Sequence, residues 1–153
     1  MNIGSEAPIL LVEDSDEDVE LIKWAFRKLD ILVPMIRCAD GNEALDYLYH
    51  REEFSDPRSF PLPSLILLDL DLVSVDGFEV LQEIKKSEDL CTIPIVIWTT
   101  FANAQYVNET MLQGASSYIL KPMNINRLLV VVQLLKRYWF DCGILPKTLP
   151  GYL

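Results

Sequence analysis

Short apolar runs alternate along the chain with stretches whose apolar positions recur at helical spacing. The first run, PILLVE (Pro8 to Glu13), predicts a strand that stops at the polar DSDED. Val19, Leu21, Ile22, Ala25, Phe26 and Leu29 then keep the helical period behind Ser15 or Asp16 as N-cap, so this helix should end near Leu29. VPMIRCAD predicts a second strand that starts at Pro34 or lies at an edge, because proline lacks a ladder donor. GNEALDYLYH reads as the second helix. REEFSDPRSFPLP, with Pro57, Pro61 and Pro63, predicts a long surface loop. SLILLD is apolar on both faces, as a central strand covered by helices on both sides would be. FEVLQEIKKS behind Gly77, IPIVIWTT, AQYVNETMLQ closing at Gly114, and SSYILKP supply helix, strand, helix and strand. A last helix runs from about Asn124 to Tyr138 or Trp139. This alternation is the signal of βαβ units around a parallel sheet.

In such a sheet, ligands bind beyond the carboxyl ends of the strands. Those ends carry Glu13-Asp14, Asp69 followed by Asp71 and Asp76, Thr99-Thr100, and Lys121-Pro122. Converging carboxylates repel unless a cation neutralises them, and hard oxygen ligands suit Mg²⁺ better than zinc. With a lysine and a hydroxyl beside the metal, such an edge can take a phosphoryl group. One carboxylate would then act as nucleophile and form an aspartyl phosphate. LILLDLDLVSVDG alone does not say whether Asp69 or Asp71 reacts.

These motifs, in this order and each at a predicted strand end, resemble the receiver domains of two-component response regulators. The match comprises Glu13-Asp14, Asp69 with Asp76-Gly77 downstream, Thr99 after Pro94, and Lys121-Pro122 with Tyr118 just before. The resemblance implies a flavodoxin-like (βα)5 fold: a five-stranded parallel sheet in order 2-1-3-4-5 with helices on both faces. It also implies that Asp69 accepts the phosphoryl group from a histidine kinase or phosphotransfer protein. Asp14, Asp69 and the main-chain carbonyl of Asp71 would hold Mg²⁺, with Glu13 on a metal-bound water. Lys121 would pair with the phosphate, its peptide to Pro122 being cis. Thr99 and Tyr118 would be the switch residues, remodelling the face of helix four, strand five and helix five. Val73 stands where the family often has proline, which implies a less rigid loop with no ligand lost. Thr100 stands where a smaller residue is usual, which implies restricted access to the phosphate and bears on its lifetime and on donor efficiency.

Other readings compete. LILLDLDLV also fits the DxD signature of haloacid-dehalogenase-type phosphatases, but the acidic pair they need after the lysine lies upstream instead, at Glu13-Asp14. A receiver-shaped interaction module that no longer takes phosphate has only Val73 and Thr100 in its favour. Acidic Glu17, Asp18, Glu52 and Glu53 read as solvated, and Trp98 as core. Thr99 alone would more often be a strand-end hydroxyl bonded to backbone. His50 reads as a partner for a helix C-terminus, not as a catalytic base. No Walker loop makes the chain its own kinase.

Composition narrows the partners. A net charge of −10 opposes binding to nucleic acid. The three cysteines, Cys38, Cys91 and Cys142, are scattered and suggest neither disulfides nor zinc. No apolar stretch approaches the roughly 20 residues of a membrane span, and no leader pattern opens the chain, so a cytoplasmic protein is expected. Residues 1–7 read as a tail and 8–140 as one receiver domain, with no output domain attached. Residues 141–153 (DCGILPKTLPGYL) read as a tail that covers the domain or joins a dimer. In the last helix Leu128, Val131, Val132, Leu135, Tyr138 and Trp139 form a stripe for the sheet. Leu129, Val130, Leu134 and Phe140 fall off it, which points to a homodimer through this helix and its neighbours or to cover by the tail. The loop before strand three and the segment YWFDCGILP are similar to single-domain response regulators that partner cyanobacterial phytochromes, so the resemblance implies a phytochrome as kinase.

Overall fold

A computed structural model describes residues 7–142. In chain order it contains β1 (Ile9–Val12), α1 (Asp16–Lys28), β2 (Met35–Cys38), α2 (Gly41–Leu48), β3 (Leu65–Leu68), α3 (Gly77–Lys86), β4 (Ile95–Thr99), α4 (Ala104–Leu112), β5 (Ser117–Leu120) and α5 (Ile125–Leu135). The strands form one parallel sheet in the expected order, β2-β1-β3-β4-β5.

Period-two alternation splits the strands between two cores. Leu10, Val12, Ile66, Leu68, Ile95 and Ile97 face Ala44, Tyr47, Val80, Leu81 and Ile84 of α2 and α3. Ile9, Leu11, Leu65, Leu67, Val96 and Trp98 face Val19, Ile22, Phe26, Leu128 and Val132 of α1 and α5. Helices on both faces explain why β1, β3 and β4 read as unbroken apolar runs. Each helix starts on a side-chain cap: Ser15, Asp40, Asp76, Asn103 and Asn124 accept from backbone N–H groups of their own first turns. Asp76 is thus spent as the cap of α3. Gly114, at φ 104°, closes α4 in the left-handed region.

Several expectations need correction. The loop before β3 runs over the surface as expected but is anchored: it contains a 3₁₀ turn, Glu52–Phe54, and the rings of Phe54 and Phe60 pack tilted and edge-on against buried Tyr47. His50 lies beyond α2, at φ 53°, and its Nε2 is 2.8 Å from the Phe60 carbonyl oxygen, so it anchors this loop rather than the helix end. The last helix is α-helical only to Leu135; a wider π-type turn, Lys136–Cys142, follows. Five residues per hydrogen-bonded ring turn the register, so Tyr138 leaves the sheet-facing stripe and is 65% exposed, while Trp139 and Phe140 pack against the α1–α5 core. No peptide bond among the described residues is cis, so Lys121–Pro122 is trans; an X-Pro bond favours trans by roughly 0.5–1 kcal/mol, and Lys121 reaches its partners in that form. The tail invoked to cover α5 lies almost wholly outside the described residues.

Candidate functional site

The order in which strands are added reverses between β1 and β3, and the site forms at their carboxyl ends. Val12 and Leu68 are register partners, so the residues that follow them, Glu13-Asp14 and Asp69, emerge side by side. Asp69 N–H donates to the Val12 carbonyl at 3.0 Å, and Glu13 N–H to that of Cys38 at 3.0 Å, which fixes both main chains. On the other flank Lys121 follows β5 and its N–H donates to the Thr99 carbonyl at 2.8 Å. Gly77 lets α3 close against this corner: a Cβ there would sit 2.2 Å from the Asp69 carbonyl oxygen. The Asp76-Gly77 pair therefore serves as a helix cap and a close approach.

Glu13, Asp14 and Asp69 each offer a carboxylate oxygen within 4.8 Å of one another. Glu13 and Asp69 are almost fully buried. Asp69 accepts from Asp71 N–H through Oδ1 (3.1 Å) and from Lys121 Nζ through Oδ2 (2.9 Å). Lys121 Nζ also lies 2.7 Å from Glu13 Oε2 and 2.7 Å from Asp18 Oδ2. The Glu13 contact is an ion pair without hydrogen-bond alignment, so Oε2 is otherwise unpartnered; Oε1 accepts from Ser15 N–H at 3.0 Å. Burial, reinforced by the charge of Asp69, pushes the Glu13 carboxyl up to about 7 against the pull of Lys121 and Ser15 N–H. For Lys121 burial works against the charge, but the carboxylates of Asp18, Glu13 and Asp69 at contact distance outweigh it and hold the ammonium protonated.

This donor set fits a hard divalent cation. Three carboxylate oxygens converge, one buried oxygen lacks a directed donor, and the uncompensated charge is what a cation would neutralise. A cavity of about 260 Å³ opens over them, with Asp71, Val73 and Thr100 in its wall. Thr99 is fully buried and does not line it; its Oγ1 accepts from Phe101 N–H at 3.4 Å, the backbone bond that a strand-end threonine commonly makes. Tyr118 is half-buried, and its hydroxyl donates to the Phe101 carbonyl. Both expected switch residues are thus tied to one residue of the β4–α4 loop.

Two participants were missed in the sequence. Asp18, expected to be solvated, pairs with Lys121. Arg37 of β2 donates from Nε to the Glu13 carbonyl (2.9 Å) and from Nη2 to that of Asp14 (3.3 Å), and pairs with Asp16 at 2.9 Å. A lone arginine in a half-polar edge strand carries no motif; the only available signal was its place one residue before the carboxyl end of β2.

The receiver-domain model of response regulators matches residues 9–150, and the chain belongs to that family. It is similar to the probable methanogenesis regulatory protein FilR2 of Methanothrix harundinacea, 40% identical over 86% of this chain and 82% of the relative. It is also similar to the response regulator Rcp1 of Synechocystis, 37% identical over 92% of this chain and 93% of that protein. The Mn²⁺-bound structure of Rcp1 superimposes with a TM-score of 0.83, at 36% identity over 92% of this chain and 99% of that one. The phosphorylated cyanobacterial phytochrome response regulator RcpA gives 0.85, at 33% identity over 93% of this chain and 99% of that one. Family membership removes the haloacid-dehalogenase alternative, consistent with Asp71 being exposed.

Proposed function

We propose that the chain is a response regulator that takes a phosphoryl group onto Asp69 from a histidine kinase, in particular a phytochrome, and so switches a protein-interaction surface. The observation that carries this reading is the convergence of Glu13, Asp14 and Asp69 with Lys121 at one sheet edge. Similarity to the phytochrome response regulator RcpA supports the phytochrome donor. FilR2 is named for another process, so that part rests on the relatives named as phytochrome or bacteriophytochrome response regulators.

In the transfer, a carboxylate oxygen of Asp69 attacks the phosphorus of a phosphohistidine; the P–N bond breaks and the imidazole leaves with its electron pair. Lys121 moves its donor from Asp69 Oδ2 to a phosphoryl oxygen. Asp14, Asp69 and the Asp71 carbonyl would hold Mg²⁺, with Glu13 on a bound water, and the ion when bound neutralises charge on the phosphoryl oxygens. Thr99 gives up Phe101 N–H and turns its hydroxyl to the phosphoryl group. Tyr118 gives up the Phe101 carbonyl and turns inward, reshaping the α4–β5–α5 face. The protein turns over no external substrate in this reading; it catalyses only its own phosphorylation and dephosphorylation.

Residues 8–140 would form the receiver, working in the cytoplasm without nucleic acid; no helix among the described residues is long and apolar enough to cross a membrane. A homodimer through α5 and β5 is supported by exposed Val130, Leu134 and Tyr138 beside a groove of about 650 Å³ that Ile119, Val131 and Trp139 help to line. Incubation with acetyl phosphate and Mg²⁺, followed by intact mass measurement, tests the main claim. One added phosphoryl group is expected in the wild type and none in Asp69→Asn; an unmodified wild type would leave a receiver-shaped interaction module instead.

A further inference from the structure

The Asp18–Lys121 pair has no part in the transfer just described, although it is among the shortest ion pairs in the site. Asp18 lies in the first turn of α1, where its N–H donates to Ser15 Oγ at 3.3 Å, so the helix start fixes its main chain. Its first-turn neighbours behave differently: Asp16 pairs with Arg37, and Glu17 is exposed. The side chain of Asp18 is 34% exposed, lies in the cavity wall and brings Oδ2 within 2.7 Å of Lys121 Nζ, closer than Asp69 Oδ2 at 2.9 Å. Asp18 is also outside the three-carboxylate cluster that fits a cation.

An ammonium has three donors, and here three carboxylates surround it. A phosphoryl group arriving at Asp69 needs one of those donors and brings further negative charge beside Asp18. Glu13 and Asp69 would still aim Lys121 if Asp18 were neutral, so Asp18 is dispensable for holding the lysine in place. What it adds is competition for the ammonium.

We propose that Asp18 is a positioning residue that occupies Lys121 in the unphosphorylated chain and restrains phosphoryl transfer to Asp69. This rests on the assignment of Asp69 as phosphoryl acceptor and specifies how that same site is regulated. Exposure of Asp18 makes the restraint depend on ionic strength, because salt screens an exposed pair more than a buried one.

The test uses acetyl phosphate at saturating Mg²⁺ on the full chain. An oxygen of Asp69 attacks phosphorus, the P–O bond to the acetyl group breaks, and acetate leaves with the electron pair. Asp18→Asn and Asp18→Ser should each be phosphorylated about fivefold faster than wild type at low salt, the scale of one charge pair at contact in a water-like medium. The gap should narrow as salt rises. With Lys121→Met as background, Asp18→Asn should lose most of its effect, because the competition runs through the ammonium. Variants no faster than wild type, or an acceleration undiminished without Lys121, would overturn the role of Asp18 while leaving the acceptor assignment intact. A wild type that takes no phosphoryl group at all would overturn the acceptor assignment, and this inference with it.

Discussion

The carboxyl edge of the sheet and the outer face of β5 and α5 depart from ordinary residue sorting in opposite senses. At the edge, carboxylates are inside: Glu13 and Asp69 are almost fully buried. Along β5 and α5, hydrophobic residues are outside: Leu120, Val130, Leu134 and Tyr138 are each about half exposed or more. Buried charge costs free energy unless it is paired, and clustered exposed apolar surface is unfavourable unless it is covered. The two regions therefore call for different complements: the edge, where carboxylates outnumber the Lys121 ammonium, for a cation, and the face, among the described residues, for another apolar surface. The β4–α4 loop lies between them, since Phe101 holds both Thr99 from the first and Tyr118 from the second.

The largest effect should come from removing the ammonium that the edge sets against its two buried carboxylates. Lys121→Met leaves Glu13 and Asp69 buried without their ammonium, and metal-free stability should fall by about 3–5 kcal/mol. Urea unfolding reads this, and Mg²⁺ should restore part of the loss. An unchanged midpoint would mean that the carboxylates are not held by Lys121. Next is Gly77→Ala, whose Cβ would meet the Asp69 carbonyl oxygen at 2.2 Å. A loss of about 1–3 kcal/mol is expected, together with weaker Mg²⁺ binding, because the clash falls on the acceptor's own backbone.

Leu134→Asp probes the other face. It should weaken self-association by about tenfold or more, read as mass in solution across a concentration series, with metal binding unchanged. A wild type that is monomeric at every concentration would contradict the dimer and leave residues 141–153 to cover the face.

The smallest effect is the pH dependence of Glu13. Its carboxyl is raised from 4.5 to about 7 in the folded chain, so between those values the folded state binds more protons than the unfolded state. Its contribution to stability is thus present at low pH and lost as pH rises through about 7. The metal-free wild type should lose a few degrees of melting temperature relative to Glu13→Gln between about pH 5 and about pH 7.5. Mg²⁺ should remove the difference; parallel pH profiles without metal would contradict the burial of an ionising Glu13.

The fold was legible because apolar runs and helical periods are local patterns, and the site because each main residue sits where a strand ends. In the sequence Asp69 is set apart from Asp71 as the candidate only by the distant Glu13-Asp14, Thr99 and Lys121. Asp18 and Arg37 were not legible, since a first-turn acid and an edge-strand arginine are ordinary at the surface and only the tertiary fold aims them inward. The anchoring of the loop by Phe54 and Phe60 was not legible, because its three prolines mark a loop without showing what holds it. The turn of Tyr138 was not, because a π-type turn shifts a register that a uniform helical period cannot foresee.

In the proposed function both regions would answer to one event, the arrival of a phosphoryl group at Asp69. Borohydride reduces an aspartyl phosphate to homoserine, so peptide mass mapping after phosphorylation and reduction locates the acceptor directly. Homoserine is expected at position 69 and at no other aspartate; homoserine at 71 or 14, or none with a competent donor present, would contradict phosphoryl transfer to Asp69.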